Sequence, residues 1–435
     1  MGVKEGEILL ILGEEKVFKD PVHQYIYVQD RLIWDLIDTK AFQRLRRIKQ
    51  LGTTFFTFHG AEHSRFSHSL GVYEISRKII SLFKRNGYVD WTEEETLLTL
   101  TSALLHDIGH GSFSHSFEKI FQFSHEDWSK QIILEDKEIN KLLINIGSNF
   151  PEKVVNVLNK TYSNQIIVNM ISSQLDADRM DYLLRDAYFT GVNYGKYDLE
   201  RILRVLRPYN ESWVVKDSGM HSVEDYLMSR YQMYWQIYFH PVTRSGEIIL
   251  RKIFLRAKDL YDNNYTFSTL FEPVKALFEQ KLNVEDYLVI DDPFIYTLFY
   301  FWTKEKDPVL TDLAERFINR RLFQYIEFDP NDSRKMEKIK NLFLDNKIDL
   351  KYYLETDSPS DLSYDFYRLG KESNEESPIF LLDDEGGLTE ISKKSDIIAS
   401  ITGRRKTIHK LYFPLDLLKD KGVDTKFKQI IELGP

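Results

Sequence analysis

The sequence contains no cysteine, so disulfide bonds and thiolate metal sites are excluded from this chain of 435 residues. It also lacks any apolar run close to the ~20 residues that a membrane-spanning helix needs. The opening stretch, MGVKEGEILLILGEEK, holds a short apolar segment between acidic residues, which is not the pattern of a signal peptide. These absences favour a cytoplasmic protein without a membrane partner.

An excess of positive charge is missing as well. The chain has 58 Lys and Arg against 67 Asp and Glu, which gives a formal net charge of −9. This balance argues against stable binding to nucleic acid, but it leaves room for local basic pockets that bind a phosphorylated ligand. Hydrophobic residues make up 43% of the chain, and its length predicts about two to three folded domains.

Apolar residues at helical spacing predict a mainly α fold. One helix is predicted at residues 38–51, and Asp38, which precedes its apolar positions, is the predicted N-cap. Further helices are predicted at 69–86, 93–106, 151–160, 165–187, 198–206, 222–239 and 246–262. Short strands are predicted at 8–12 and 25–28, and a hairpin at 212–222 is predicted to turn on Asp-Ser-Gly.

The pattern changes near residue 320. Four later segments read as strands separated by polar turns: QYIEF, IDLKYYLE, PIFLLDDEGGLTEI and TIHKLYFP. The sequence therefore predicts a helical core over residues 1–320 and a smaller α+β C-terminal lobe over residues 321–435.

Histidine is scarce, with 11 in the chain, yet three lie in the stretch HDIGHGSFSH that begins at His106. Neighbouring residues on a helix point about 100° apart, so a metal ion must lie near the helix end to bind both His106 and Asp107. Imidazole nitrogen with carboxylate oxygen suits iron, manganese, zinc or nickel. A lone His-Asp pair is more often a surface or capping pair. Two further candidate ligands lie on either side of the pair in the chain, His68 before it and Asp178 after it. Together with the pair they favour a metal site.

Seven segments together resemble the HD-domain metal-dependent phosphohydrolases, and most closely the deoxynucleoside triphosphate (dNTP) triphosphohydrolases. They are FKDPVHQYIYV, IDTKAFQRLRRIKQLG, HSRFSHSLGV, LLHDIGHGSFSH, HEDWS, LDADRMDYLLRDAYFTGV and YQMYWQIYFHPV, and they span roughly residues 16–245. An HD pair alone is weak, whereas seven segments in order are specific. The last quarter of the chain resembles the family only loosely. The resemblance implies that the core is an HD-domain helical phosphohydrolase fold.

The resemblance assigns roles to residues around the HD pair. It implies a metal site with four ligands, which are His68, His106, Asp107 and Asp178. It also implies four catalytic residues near the scissile phosphate, which are His110, His115, His125 and Glu126. Histidine suits acid–base work near neutral pH because its ordinary pKa lies close to the operating pH.

Two stripes of residues share helical spacing. Asp178, Tyr182 and Asp186 stand four residues apart, as do Arg230, Tyr234 and Tyr238. Spacing alone fits core packing of the tyrosines equally well. The resemblance instead implies that these residues, apart from the metal ligand Asp178, bind substrate. It adds four more substrate contacts: Gln50, Leu51, Arg65 and Arg179. A guanidinium group matches phosphate oxygens in geometry.

The basic run FQRLRRIKQ is ordinarily a solvated helix face. In this chain the resemblance implies a binding site for a guanine nucleotide effector, formed by Lys16, Val17, Asp38, Gln43, Arg46 and, from a neighbouring subunit, Arg320. A carboxylate can accept both N1–H and N2–H of guanine, which suits Asp38. A site shared between subunits couples effector binding to assembly, and the implied assembly is a homotetramer.

The implied reaction is hydrolysis of a dNTP at the α-phosphorus, with release of a deoxynucleoside and triphosphate. A divalent metal ion at the HD site (Fe, Mn, Zn, Ni or Mg) activates water, and a second ion, Mg, is expected with the nucleotide. Two alternatives stay open. One is another HD-domain phosphohydrolase that acts on a nucleoside monophosphate or an alarmone, and the other is a nucleotide-sensing protein without turnover.

Overall fold

The computed structural model describes residues 11–113, 118, 121, 123–210, 212–358, 378–402 and 408–432. Within these ranges the chain is mainly helical and has nine short strands. The predicted fold class, a mainly α core with a smaller α+β part, is confirmed.

A first hydrophobic core lies among the elements of the N-terminal half. The antiparallel strands β1 (Ile11–Asp20) and β2 (Gln24–Asp30) form a hairpin at its edge. The helices around this core are α1 (Arg31–Ile37), α2 (Lys40–Arg44), α3 (Arg65–Arg85), α4 (Glu93–Leu105), α5 (His125–Glu135), α6 (Lys137–Ile144), α7 (Phe150–Leu158), α8 (Gln165–Ile171), α9 (Ala177–Thr190), α10 (Leu199–Val205) and α11 (Met220–Met233). Helix α3 packs on both α4 and α9. This packing brings together the predicted metal ligands, which lie on or beside these three helices.

A π-helical turn, Tyr234–Tyr238, continues α11 and leads towards the second core. The remaining helices are α12 (Pro241–Asp262), α13 (Glu272–Phe278), α14 (Val284–Val289), α15 (Asp292–Trp302), α16 (Pro308–Ile318), α17 (Ser333–Asp345), α18 (Leu350–Tyr353), α19 (Asp396–Ile401), α20 (Leu415–Asp420) and α21 (Asp424–Glu432). Most of them enclose the second hydrophobic core. Among the described helices, none combines the length and apolarity that a bilayer crossing demands.

Besides the hairpin there are two small sheets. One has the order β3 (Leu206–Tyr209), β4 (Ser212–Lys216), β7 (Phe380–Leu382) and β8 (Leu388–Glu390), and the other has the order β5 (Gln324–Glu327), β9 (Lys410–Phe413) and β6 (Glu355–Asp357). The pairing of β4 with β7 is parallel and joins a late segment to the first core. The second core includes Phe56 and Phe113, and its other residues run from Ile248 to Ile430, across residue 320. The boundary at residue 320 stays a prediction.

The helix predicted at 165–187 is in fact two helices, α8 and α9. The break occurs because Asp176 acts as the N-cap of α9, where its side chain accepts a hydrogen bond of 2.7 Å from the Arg179 amide. Its other oxygen accepts a hydrogen bond of 2.8 Å from the Ser173 amide. Serine and aspartate compete with helix hydrogen bonds in this way, so they favour caps over helix interiors.

Three other local predictions are wrong for similar reasons. Thr39, not Asp38, caps α2, and that helix gives way to a 3₁₀ turn at Leu45–Arg47 instead of running to residue 51. The predicted turn at Asp217–Gly219 is a 3₁₀ turn that enters α11, and the hairpin forms earlier, between β3 and β4. The segment IDLKYYLE begins with helix α18, because Asp349 caps it, and only its end joins strand β6.

Candidate active site

Side chains from three helices meet at the centre of the first core. His68 lies in the first turn of α3, His106 and Asp107 directly follow the end of α4, and Asp178 lies in the first turn of α9. The Nε2 atom of His68 lies 3.0 Å from Oδ1 of Asp178 and 3.3 Å from Nε2 of His106. The Nε2 atom of His106 lies 3.3 Å from Oδ1 of Asp107. The four predicted metal ligands are therefore brought together.

The hydrogen bonds of the two imidazole rings orient them towards a common centre. Nδ1 of His106 lies 2.9 Å from the carbonyl oxygen of Ala103, and Nδ1 of His68 lies 2.8 Å from Oδ2 of Asp181. Both partners are acceptors, so Nδ1 carries a proton in each ring and Nε2 is the atom that would face a metal ion. Two imidazole nitrogens and two carboxylates form a donor set that fits a first-row divalent metal ion.

Electrostatics at this centre favour a cation. Burial alone would lower the pKa of His68, but its hydrogen bonds with Asp178 and Asp181 raise that pKa to about 10. Burial would raise the pKa of Asp178, yet the two histidines hold it well below its usual range. The unliganded centre therefore attracts protons between its carboxylates, and a metal ion would displace them.

Arg65 forms a buried ion pair with Asp107 through Oδ2, while Oδ1 of Asp107 lies near both His106 and His110. The arginine is only 3% exposed. Arg65 was predicted to contact the substrate, and this geometry gives it an additional role, because its charge fixes the orientation of a candidate metal ligand.

The turn after α4 is held by side chains from α2 and α14. Arg44 donates a hydrogen bond of 2.9 Å to the carbonyl oxygen of His110, and the hydroxyl of Tyr287 donates one of 2.5 Å to that of Gly109. A side chain on Gly109 would lie 2.2 Å from backbone atoms of α5, so this close approach requires glycine. The turn fixes His110 beside α5. The predicted catalytic residue His115 lies outside the described residues.

A second group of titratable side chains adjoins the first. The ring of His110 stacks on that of His125 with 3.8 Å between the centroids. Glu118 lies 3.0 Å from Nδ1 of His125 and 3.3 Å from Nδ1 of His110. Burial, followed by the charge of Arg65, lowers the pKa of His110 to about 3, so this ring is neutral near pH 7. Glu126, which was predicted to act with His125, is exposed in the first turn of α5.

The two predicted stripes face each other at their later residues. The hydroxyl of Tyr238 donates a hydrogen bond of 2.8 Å to Oδ2 of Asp186, and its ring contacts that of Tyr182 edge-on at 6.2 Å. The other oxygen of Asp186 lies 2.8 Å from Nε2 of His63, a residue that was not predicted. Helix α9 carries Asp178 at its start, so one helix leads from the metal ligands to this polar group.

Arg230 is buried, and none of the described acidic residues pairs with it. Its side chain donates a hydrogen bond of 2.7 Å to Gln174 and lies over the ring of Tyr234. In the described part of the chain, no carboxylate forms an ion pair with Arg230, and its Nε atom has no hydrogen-bond partner. The positive charge of Arg179 is close enough to oppose that of Arg230. A buried cation in such surroundings is costly unless an anion completes the site.

The predicted contacts at residues 50 and 51 adjoin this region. The amide of Gln50 donates a hydrogen bond of 2.9 Å to the carbonyl oxygen of His63, and Leu51 packs against the first core. The side-chain oxygen of Gln50 is buried, and within the described residues it has no hydrogen-bond donor.

Five of the six predicted effector residues belong to neighbouring surface elements. Lys16 and Val17 lie on β1, and the other three are Asp38, Gln43 and Arg46. The guanidinium of Arg46 lies 3.5 Å from the ring centre of Phe66, which also contacts Phe18 of β1. Arg320 donates to the carbonyl oxygen of Phe56 instead, and within the described residues no hydrogen bond or ion pair joins it to the other five.

Comparison with known proteins agrees with this geometry. Residues 65–186 match the HD domain, and residues 197–342 match the HD associated region. The uncharacterized protein YwfO of Bacillus subtilis is 57% identical over 411 residues, which are 94% of either chain. A crystal structure described as a phosphohydrolase from Bacteroides thetaiotaomicron matches with a TM-score of 0.81 and 27% identity, covering 92% of this chain and 100% of that one.

The deoxynucleoside triphosphate triphosphohydrolase SAMHD1 of Homo sapiens is 27% identical over 372 residues, which are 74% of this chain and 57% of that protein. The SAMHD1 homolog of Dictyostelium discoideum is 31% identical over 262 residues, 56% of this chain and 49% of that protein. This chain thus spans about half the length of these relatives. Sequence similarity to them, the two matched regions and the full-length match to YwfO agree with one another. The chain belongs to the HD-domain dNTPase-like family of phosphohydrolases.

Proposed function

We propose that this protein is a metal-dependent dNTP triphosphohydrolase, which cleaves a dNTP to a deoxynucleoside and intact triphosphate. The observation that carries the proposal is the buried Arg230, which lies beside Arg179 and has no acidic partner among the described residues. Arg179 lies on α9, the helix that carries Asp178. A polyphosphate would supply the missing negative charge.

The residues that would hold the metal ion are His68, His106, Asp107 and Asp178. When bound, the ion would supply Lewis acidity that activates water and offsets the negative charge of the phosphate. Arg65 supports this set by fixing the orientation of Asp107.

Hydrolysis at the α-phosphorus breaks its bond to the 5′-oxygen of the sugar, and that oxygen must gain a proton as it leaves. His110 is neutral near pH 7, so its ring can accept a hydrogen bond from the reacting groups. His125 stacks on it, is held by Glu118 and is 23% exposed at its side chain. Glu118 lies near Nδ1 of both rings, so it would link His110 to the partly exposed His125 and allow proton exchange with solvent.

Binding of the rest of the nucleotide follows from the two stripes. Arg230 and Arg179 would bind the outer phosphates, because guanidinium groups pair with phosphate oxygens. Asp186 and Tyr238 form a polar group that suits the sugar 3′-hydroxyl, and Tyr182 packs beside them. The buried side-chain oxygen of Gln50, with Leu51 beside it, would accept from a sugar hydroxyl, since it has no donor within the described residues.

We further propose that a guanine nucleotide, dGTP or GTP, activates the enzyme at a site between subunits of a homotetramer. Asp38 is exposed, so its carboxylate is available to guanine N1–H and N2–H. Arg46 bonds to Gln43 and lies over the ring of Phe66, which also contacts Phe18 of β1. Lys16 and Val17 precede Phe18 on that strand, so Lys16 and Arg46 would supply the positive charge. Arg320 would come from the neighbouring subunit.

One experiment tests the reaction. The metal-loaded protein is incubated with each dNTP and Mg, with and without dGTP or GTP, and the products are resolved by phosphorus NMR and ion-exchange chromatography. Triphosphate and deoxynucleoside are expected as the primary products. Pyrophosphate with a dNMP, or orthophosphate with a dNDP, would reject the proposal. Parallel incubations with a deoxynucleoside monophosphate and with guanosine tetraphosphate test the alternative HD-domain activities.

A further inference from the structure

A buried chain of hydrogen bonds links the turn of the N-terminal hairpin to His68. Oδ1 of Asp20, at the end of β1, accepts hydrogen bonds of 2.9 Å from the amides of Val22 and His23, which fixes the turn. Nε2 of His23 lies 2.6 Å from Oδ1 of Asp181. The second oxygen of Asp181 lies 2.8 Å from Nδ1 of His68. The chain thus begins in the hairpin and ends at a candidate metal ligand.

Arg185 closes this chain into a network. Its guanidinium donates hydrogen bonds of 2.8 and 2.9 Å to the two oxygens of Asp181, one turn earlier on α9, and one of 2.8 Å to Oδ2 of Asp20. The side chains of Arg185, Asp181, His23 and His68 are at most 1% exposed. A side chain on Gly71 of α3 would lie 1.9 Å from Asp181, so the packing of α3 leaves space for this network and for nothing larger.

The network acts on the geometry of His68. A carboxylate that accepts from the outer nitrogen of a ligating imidazole fixes the ring and makes its inner nitrogen more basic. Asp181 can do so only while it is itself held in place. Arg185 holds it from the same helix, whereas His23 holds it from a hairpin that is remote in sequence. Without His23, Oδ1 of Asp181 would keep only its bond to Arg185, and the carboxylate would lose its contact with the hairpin turn.

We propose that the hairpin turn is a positioning element of the metal site, in which His23 and Asp20 hold Asp181 and Arg185 and thereby set the affinity of His68 for the metal ion. This inference rests on the metal site of the proposed function, but it does not depend on the substrate. His23 is a positioning residue that acts through Asp181 and touches neither the metal nor the nucleotide.

Metal binding tests the proposal without any turnover. Metal-free protein is titrated with Mn²⁺ by calorimetry, and the visible absorption of the Co²⁺-loaded protein is recorded. His23→Ala should weaken Mn²⁺ binding about tenfold, the lower end of the range for partners of metal ligands, and should alter the Co²⁺ spectrum. His23→Gln keeps a donor near the position of Nε2 and should restore most of the affinity.

A matched control removes a histidine that also pairs with a carboxylate but is far more exposed. His221 contacts Glu224 and is 85% exposed at its side chain, so His221→Ala should leave both readouts unchanged. Wild-type affinity and an unchanged spectrum in His23→Ala would overturn the proposal. If His23→Ala does not fold, Asp20→Asn decides, because it keeps an oxygen for the turn and loses the charge that faces Arg185. Unchanged affinity in Asp20→Asn would then overturn it.

The two proposals fail in different ways. A wild-type protein that binds metal but hydrolyses no dNTP rejects the proposed reaction and leaves this inference standing. A wild-type protein that binds neither Mn²⁺ nor Co²⁺ rejects the metal site and this inference together. Normal turnover with metal affinity that is insensitive to His23 and Asp20 rejects this inference alone.

Discussion

The side chain of Arg230 lowers the stability of the unliganded fold but is suited to bind an anionic ligand. A guanidinium that is 5% exposed, with an amide and tyrosines as its described neighbours, costs free energy in the unliganded fold. Folding alone gives no reason to keep a positive charge there. An anionic ligand does, because it converts the unpaired charge into binding energy.

We therefore expect Arg230→Met to weaken substrate binding without destabilising the fold. Loss of a charged hydrogen bond is worth roughly 1.5–3 kcal/mol, so KM should rise on the order of 10- to 150-fold. The free energy of unfolding without ligand should stay the same or increase, because a buried charge is replaced by an apolar side chain of similar length. Denaturant titration and steady-state kinetics measure both. A clear loss of stability with an unchanged KM would assign Arg230 to the core.

The metal assignment gives a second prediction at this scale. Asp178→Ala removes a direct ligand, so metal affinity should fall by more than the about 10- to 100-fold that loss of a ligand's partner costs. Turnover should be lost with it. Asp225→Ala, an exposed aspartate on α11, is the matched control and should retain metal and activity. Elemental analysis of the folded variants gives the result, and full metal content in Asp178→Ala would contradict the assignment.

At the residue scale, sequence motifs predict some of the candidate site and miss residues that support it. The four candidate ligands follow from the HD pair and the segments that resemble the family. Asp181 was missed because a supporting carboxylate has no motif of its own. It lies three residues after Asp178, in the segment LDADRMD. Glu118 was missed because its closeness to His110 and His125 depends on how the turn folds, and no spacing in the sequence encodes that.

Elements position the site through their ends more than through their lengths. Helix α4 stops at Leu105, so His106 and Asp107 stand at its end, and α9 starts at Ala177, so Asp178 stands in its first turn. Helical periodicity predicted most helices of the first core. It merged α8 with α9, because apolar spacing continues across the break and only the capping of Asp176 interrupts it. Caps are short polar signals, and periodicity outweighs them in a sequence.

The turn after α4 gives an element-scale prediction. Gly109→Ala should push α5 away from this turn, because the new methyl group would lie 2.2 Å from the carbonyl oxygen of His125 and the amide of Ser129. We expect a loss of roughly 1–3 kcal/mol in unfolding free energy, typical of overpacking, and a larger relative loss of turnover as His110 and His125 separate.

Gly147→Ala is its control, because the nearest atom to the new methyl group would lie at 3.6 Å, an ordinary contact. Thermal unfolding and single-turnover kinetics compare the two variants. Equal behaviour of Gly109→Ala and Gly147→Ala would mean that the turn adapts and that the stacked histidines tolerate its movement.

On the scale of the whole molecule, the two hydrophobic cores meet around the candidate site. Arg44 bonds to the carbonyl oxygens of both His110 and Ile290, and Asp292 accepts from the hydroxyl of Ser112 at 2.8 Å. Interactions across such sequence distances could not be predicted, because periodicity describes single elements and not their neighbours. The late strand β7 likewise pairs with β4, which belongs to the first core, and no pattern in the sequence predicts that pairing.

The proposed effector site needs residues from two subunits, because Arg320 would come from the neighbouring chain. A nucleotide that binds only to the assembled form shifts the equilibrium towards it by its differential affinity. Asp38→Ala leaves guanine N1–H and N2–H without their charged acceptor, which is worth roughly 1.5–3 kcal/mol. Activation by dGTP or GTP should then need on the order of 10- to 150-fold more nucleotide. The metal content should be unchanged, because Asp38 is exposed on the surface and is not among the candidate metal ligands.

The control for this prediction is Asp35→Ala on α1, which removes a carboxylate that pairs with Arg31 one turn away on the protein surface. It should retain wild-type activation, since an exposed pair of this kind contributes little. Analytical ultracentrifugation with and without dGTP measures assembly, and the rate of dATP hydrolysis at increasing dGTP measures activation. The proposed effector site is supported if dGTP produces a homotetramer in the wild type and in Asp35→Ala, and if Asp38→Ala needs much more dGTP to form it. Equal dATP hydrolysis with and without guanine nucleotide in wild type and Asp38→Ala would remove the effector from the proposal. The hydrolytic site would then stand alone, because none of its residues belongs to the proposed effector site.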